Sequence, residues 1–98
     1  MDNKLIKIQT QSGFDYEIDR DAMDDMELFE DLVTMEDPEV IQAKRLAATN
    51  RVFAKLLGDE QKARLNAFLK ERDGKVRISA YQREIREIFE AMNDDKKK

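Results

Sequence analysis

The apolar residues of this chain change period once, and that change limits the folds open to it. Phe14, Tyr16 and Ile18 alternate with Asp15 and Glu17, the two-residue period of a half-buried strand. From Ala22 onward the large apolar residues return every three or four positions instead, the spacing of one helix face. Residues 4–9, KLIKIQ, form a second β-branched run, and TQSG between the two runs carries turn chemistry. Gly13 there is free to take a positive φ. The expected order is a β-hairpin over 4–18 and then helices, a mostly helical α+β chain. A lone hairpin is marginal in water, so this one must pack on the helices or pair with another chain.

The punctuation predicts four helices, at about 20–35, 38–57, 60–72 and 80–92, giving a small four-helix bundle behind the hairpin. Asp19 or Asp21 can cap the first of them. Its apolar residues fall into two adjacent stripes, Ala22-Met26-Phe29-Val33 and Leu28-Leu32-Met35. Together they span about 180° of the helical wheel, more than packing on one neighbour requires. Pro38 stops that helix and suits the first turn of the next, whose seam is Leu46, Phe53 and Leu57, flanked by Ile41, Val52 and Leu56. Gly58 fits the left-handed position past a helix end, and Asp59 can cap the third helix. That helix presents Leu65, Phe68 and Leu69. Asp73-Gly74 reads as a tight turn. Ser79, with Gln82 three residues on, reads as a capping box for the last helix. The last helix carries a narrow seam of Tyr81, Ile85, Ile88, Phe89 and Met92. Residues 1–92 form one domain, and 93–98 a charged, disordered tail.

The inventory of 98 residues excludes several classes of chemistry. There is no cysteine, so disulfides, thiolate catalysis and cysteine metal sites are out. Histidine is also absent, which removes the usual general base near neutral pH and the commonest zinc ligand. No convergent set of carboxylates replaces it, and the reading is of a protein that is not an enzyme and needs no cofactor. With no signal-like segment and no apolar run near 18 residues, a soluble cytoplasmic protein without membrane contact is expected.

Charge is sharply divided. Residues 15–39 carry twelve acidic groups and one basic group, whereas 40–98 carry fifteen basic and nine acidic ones. The two parts should attract, within one chain or between copies. Asp19, Asp21, Asp25, Glu27 and Glu30 loosely imitate calcium-loop spacing, but Asp24 stands where such a loop needs glycine. Lys44, Arg51 and Lys55 line up at spacings of seven and four as a basic stripe facing away from the core. They could contact phosphates, yet the chain is acidic overall, with a pI near 4.9, and nucleic-acid binding is not the favoured reading. Met23, Met26, Met35 and Met92 are core filler or adaptable contact surface.

Taken in order, DDMELFEDL (24–32), KLLGDEQ (55–61), DGKVRISA (73–80) and EIREIFEAM (84–92) resemble the tail assembly chaperones of long-tailed bacteriophages and prophages, over about residues 14–92. One departure is Met26, where relatives are expected to carry an aromatic residue. The resemblance implies a non-enzymatic protein that binds the tape-measure protein, keeps its apolar helices soluble and helps recruit tail-tube subunits. It implies action in the host cytoplasm and absence from the mature virion. The partner-contact candidates are then Leu28, Leu32 and Met35 on the outer part of the acidic helix, with Met26 and Phe29 nearer the core. Lys44, Arg51 and Lys55 would pair with the acidic helix of a neighbouring copy in self-association. The reading from a different class is a small DNA-binding transcriptional regulator, with helix 60–72 or 80–92 in a groove.

Overall fold

The alternation at the start of the chain becomes a two-stranded antiparallel sheet. Strand β1 (Leu5–Gln9) pairs with β2 (Asp15–Asp19), Ile6 opposite Ile18 and Ile8 opposite Tyr16. Ile8, Tyr16 and Ile18 point into the core, while Lys7, Gln9, Asp15 and Glu17 stay outside. In the connecting loop the Gly13 N–H donates to the Thr10 carbonyl (2.9 Å), with Gly13 at φ 95°. The computed structural model describes residues 4–96.

The acidic segment does not run as one helix from residue 20. Arg20–Met23 is a 3₁₀ turn, capped by the Asp19 carboxylate, which accepts from the Asp21 N–H (2.8 Å). Helix α1 starts only at Met26 and ends at Glu36. Its cap is Asp25, whose Oδ1 accepts from the amides of Glu27 (2.9 Å) and Leu28 (3.1 Å). The carboxylate satisfies two amides that the helix start leaves without partners. Asp37 comes next, in the extended conformation that a residue before proline favours.

Pro38 does not open the next helix. The Asp37 carboxylate accepts from the Glu39 N–H (2.9 Å) and the Asp37 carbonyl from Val40 (3.2 Å), closing an Asx-type turn around the proline. Helix α2 therefore begins at Gln42 and continues to Asp73. The helices expected at 38–57 and 60–72 are the two halves of this one element, so the described residues hold three α-helices, not four. Gly58 interrupts α2 with φ 78° and ψ 165°, a region open essentially to glycine alone. It is a break inside a helix, and the Asp59 side chain does not cap the second half.

Gly74 ends α2 in the left-handed conformation, with its N–H donating to the Lys70 carbonyl (2.7 Å). Helix α3 spans Ile78–Lys96. The Arg77 carbonyl already accepts from the Tyr81 N–H (3.1 Å), which puts Ser79 inside the first turn, so no capping box forms there. Residues 93–96, expected as tail, are helical, and Lys97 and Lys98 lie outside the described residues.

One core joins all of these elements. Phe53, Leu65, Leu69 and Ile88 are fully enclosed together with Tyr16 and Ile18. The Phe14 ring lies 4.7 Å from that of Tyr16 and 5.3 Å from Phe68, and Phe53 packs on Tyr81 at 4.4 Å. Each such side chain contributes about 1.5–3 kcal/mol on burial, which makes these rings and branched residues the main anchor of the hairpin. No helix among the described residues is long and apolar enough to cross a membrane.

Candidate partner-binding groove

Helix α1 meets the protein through Leu28 and Asp31. Asp31 accepts from Arg51 Nε through Oδ1 (3.0 Å) and from Lys55 Nζ through Oδ2 (2.9 Å). Both cations lie on the first half of α2, so the pair fixes α1 against that half. Asp31 is itself buried, and the Lys55 ammonium, with Arg51 beside it, holds its carboxyl below the usual carboxylate range. Arg51 and Lys55 of the basic stripe thus pair with an acid of their own chain, and they reach towards α1. Lys44, seven residues or about two turns before Arg51, stays exposed.

This docking inverts the expected roles of the two apolar stripes. Leu28 is fully buried and part of the core. Met26, Phe29 and Val33 are 70%, 56% and 52% exposed, although Met26 and Phe29 were expected on the core side. With 100° per residue, Leu28, Asp31 and Met35 share one side of α1, and the exposed three lie across from Asp31. The wide apolar arc is real, but the half left outside is the one containing Phe29.

Leu32 occupies the margin between these two faces and Met35 the end of the buried one, and beside them α1, α2 and α3 leave a groove. One cavity of about 510 Å³ is lined by Met35, Leu46, Ile85 and Phe89, with Glu36, Arg45, Arg86 and Glu90 around it. A second, of about 460 Å³, is lined by Ile6, Met23, Leu32, Phe89 and Met92. Phe89 is a wall of both. The first cavity is closed on its other side by Gln42, Arg45, Leu46 and Thr49 of α2, and the second by Ile6 of β1 and Met23 of the 3₁₀ turn, so α3 is the wall common to both. The Arg20–Asp95 ion pair, with Nε 2.9 Å from Oδ2, stands at one end. Of the candidates from the sequence, Met35 lines the first cavity and Leu32 the second; Leu28 is in the core and lines neither, and Met26 and Phe29 are exposed.

Two polar residues that sequence reasoning passed over fasten the hairpin to this frame. Glu84 on α3 is almost completely buried, and its Oε1 accepts from the Thr10 hydroxyl and the Tyr16 hydroxyl, both at 2.7 Å. Burial, and then the hydrogen bond to Glu84, push the Tyr16 phenol far above its ordinary pKa. Gln61 lies three residues past the break at Gly58. Its amide accepts from the Glu17 N–H (2.7 Å) and donates to the Glu17 carbonyl (3.0 Å) and the Leu57 carbonyl (3.1 Å). It therefore covers the outer edge of β2 and a carbonyl at the break at once. The available signal for Glu84 was its place on the wheel, about 40° from Ile88 at the border of the apolar seam.

No protein-family model matches this chain, and neither a curated protein nor a solved structure is significantly similar to it.

Proposed function

We propose that this protein is a non-enzymatic tail assembly chaperone of the kind made by long-tailed bacteriophages and prophages. In this reading it binds the tape-measure protein in the host cytoplasm, helps recruit tail-tube subunits and leaves before the virion is complete. The observation that carries the reading is the groove along α3, where two cavities share Phe89, with Leu32, Met35 and Met92 among their apolar lining and charges of both signs beside them. A tape measure is long and helical, and an amphipathic helix laid into an apolar groove is the natural way to hold one. Several copies on one client would bind with avidity beyond that of any single contact.

Co-expression with a fragment of the tape-measure protein tests the proposal. The fragment should stay soluble with the wild-type chain and should be pulled down with it. It should precipitate beside a Phe89→Ser variant, which removes the apolar wall shared by both cavities at a position on α3, away from the Asp31 ion pair. Equal insolubility of the fragment with and without the wild-type chain would defeat the reading.

A further inference from the structure

The polar contacts sort the chain into two bodies. In the first, Asp31 holds α1 to Arg51 and Lys55, on the half of α2 before Gly58. In the second, Glu84 and Glu87 of α3 take the hairpin, and Gln61 joins the hairpin to the half of α2 after the break. Tyr81 of α3 also donates to Asn66 in that half. Where the bodies meet, the contact is apolar and incomplete. Phe53 packs on Tyr81 at 4.4 Å, but the seam on either side of them is hollow. The two cavities of the groove lie on it, one between Leu46 and Ile85 and the other between Leu32 and Met92. A third, of about 270 Å³, is lined by Asn50 from one body and Tyr81 from the other.

The chain crosses between the bodies at Asp24-Asp25, ahead of α1, and at Gly58, and neither crossing is helical. Gly58 has nothing within 4 Å of where a Cβ would stand, so only its backbone angles call for glycine. Glycine also accepts helical angles, and the same residue therefore serves a bent and a straighter α2. The carbonyl beside it is provided for in both. The Gln61 side chain donates to the Leu57 carbonyl (3.1 Å) while it pairs with Glu17. Leu57 is four residues before Gln61, so in an unbroken helix the Gln61 backbone N–H takes that same carbonyl. Straightening releases the Gln61 side chain from Glu17 and leaves the Leu57 carbonyl satisfied. We propose that Gly58 is a hinge, that Gln61 is the latch of its closed form, and that the hinge angle sets the width of the groove along α3. Helix α3 lies inside the bend, since Tyr81 touches Phe53 before the break and Asn66 after it. A fully straight α2 of 32 residues would be about 48 Å long, against 42 Å for the longest dimension of the molecule. Movement towards it carries α1, with its wall of the groove, away from α3. The open form is the minor one, because it parts Phe53 from Tyr81. The hinge belongs to the chain alone and holds whatever the groove accepts.

The chain has no cysteine, so introduced pairs carry spin labels at chosen points, and pulsed dipolar spectroscopy reads the distances between them. Ala47→Cys with Ala67→Cys spans the break, and Glu36→Cys with Glu90→Cys spans the groove; all four residues are exposed. With Gly58 and Gln61 intact, each pair should give one main, shorter distance. Gln61→Ala should raise the fraction at longer distance about tenfold in both pairs. Gly58→Ala should raise it further, because alanine accepts the helical angles and not the bent ones. The distance across the break should then approach about 30 Å, the helical rise from Ala47 to Ala67. If Gln61→Ala leaves both distributions as they were, the inference fails. It fails too if the break lengthens while the groove pair stays fixed, since α1 then does not ride on the hinge. A longer distance that comes with loss of helical circular dichroism is unfolding, and overturns it as well. Gln61→Ala decides the matter even where Gly58→Ala does not fold, because Glu17 is exposed and its freed backbone groups turn to water.

Discussion

The hairpin and α1 are attached to the same frame in opposite ways. The hairpin buries Ile8, Tyr16 and Ile18 of its inner face, and its polar groups are paired: Thr10 and Tyr16 with Glu84, the Glu17 backbone with Gln61, the Gln11 N–H with Glu87 at 2.7 Å. α1 buries one side, is held by an acid whose two cationic partners remain partly in solvent, and keeps three apolar side chains outside. A buried, fully paired polar contact is costly to disturb, while an ion pair open to water contributes little. Buried polar pairing is therefore concentrated where the hairpin meets α2 and α3, and α1 is the element that keeps an uncovered apolar side.

Removing the buried carboxylate should separate the two regions most strongly. Glu84→Ala strands the Thr10 and Tyr16 hydroxyls and should cost about 3–4 kcal/mol, seen as a lower midpoint in urea unfolding. Glu84→Gln keeps an acceptor for both and should cost about 1 kcal/mol, the difference reflecting the weaker neutral acceptor. If alanine and glutamine cost the same, the hub is not what holds the hairpin.

The break in α2 comes next. Gly58→Ala meets no neighbouring atom within 4 Å, so its whole effect comes from backbone strain at φ 78° and ψ 165°. A loss of about 1–3 kcal/mol is expected. A straightened α2 would pull Gln61 away from Glu17, and hydrogen exchange at the Glu17 amide would then rise more than at the amides of α1.

The outcome at Gly58 also marks where the sequence was readable and where it was not. Local signals carried the hairpin alternation, the glycine at the break and the seam of α3, because each depends on residues a few positions apart. The orientation of α1 was not local. Its apolar arc was visible at full width, but Asp31, which selects the buried half, is one of twelve acids in its segment, and its partners lie 20 and 24 residues further on. Glu84 was hidden for the same reason, its hydroxyl partners being 74 and 68 residues away. The α1 cap moved from Asp19 or Asp21 to Asp25 because a run of acids offers several caps and packing chooses among them.

Asp31 should give a smaller and pH-dependent effect. Its carboxyl is held down by Lys55 and Arg51, so the stabilisation is present above the ordinary carboxylate pKa near about 4 and is lost as pH falls through the lower folded-state value. Asp31→Asn should cost about 1 kcal/mol at pH 7, and the gap to wild type should close towards acid. A gap that persists undiminished well below the carboxylate range would mean that shape, not charge, sets the docking of α1.

The smallest effect should fall next to the largest burial on the same helix. Leu28 is enclosed and Phe29 is not, so Phe29→Ser should leave the unfolding midpoint of the monomer within about 0.5 kcal/mol of wild type, whereas Leu28→Ala should cost about 2–5 kcal/mol through the cavity it opens. Both measurements belong at low protein concentration, where the midpoint reads the single chain. If Phe29→Ser is as damaging as Leu28→Ala under those conditions, Phe29 is a core residue and α1 sits rotated from the orientation that Asp31 imposes. If only Leu28→Ala is damaging, the apolar surface on the far side of α1 contributes nothing to holding this chain together, and its aromatic ring is left for contacts outside the monomer.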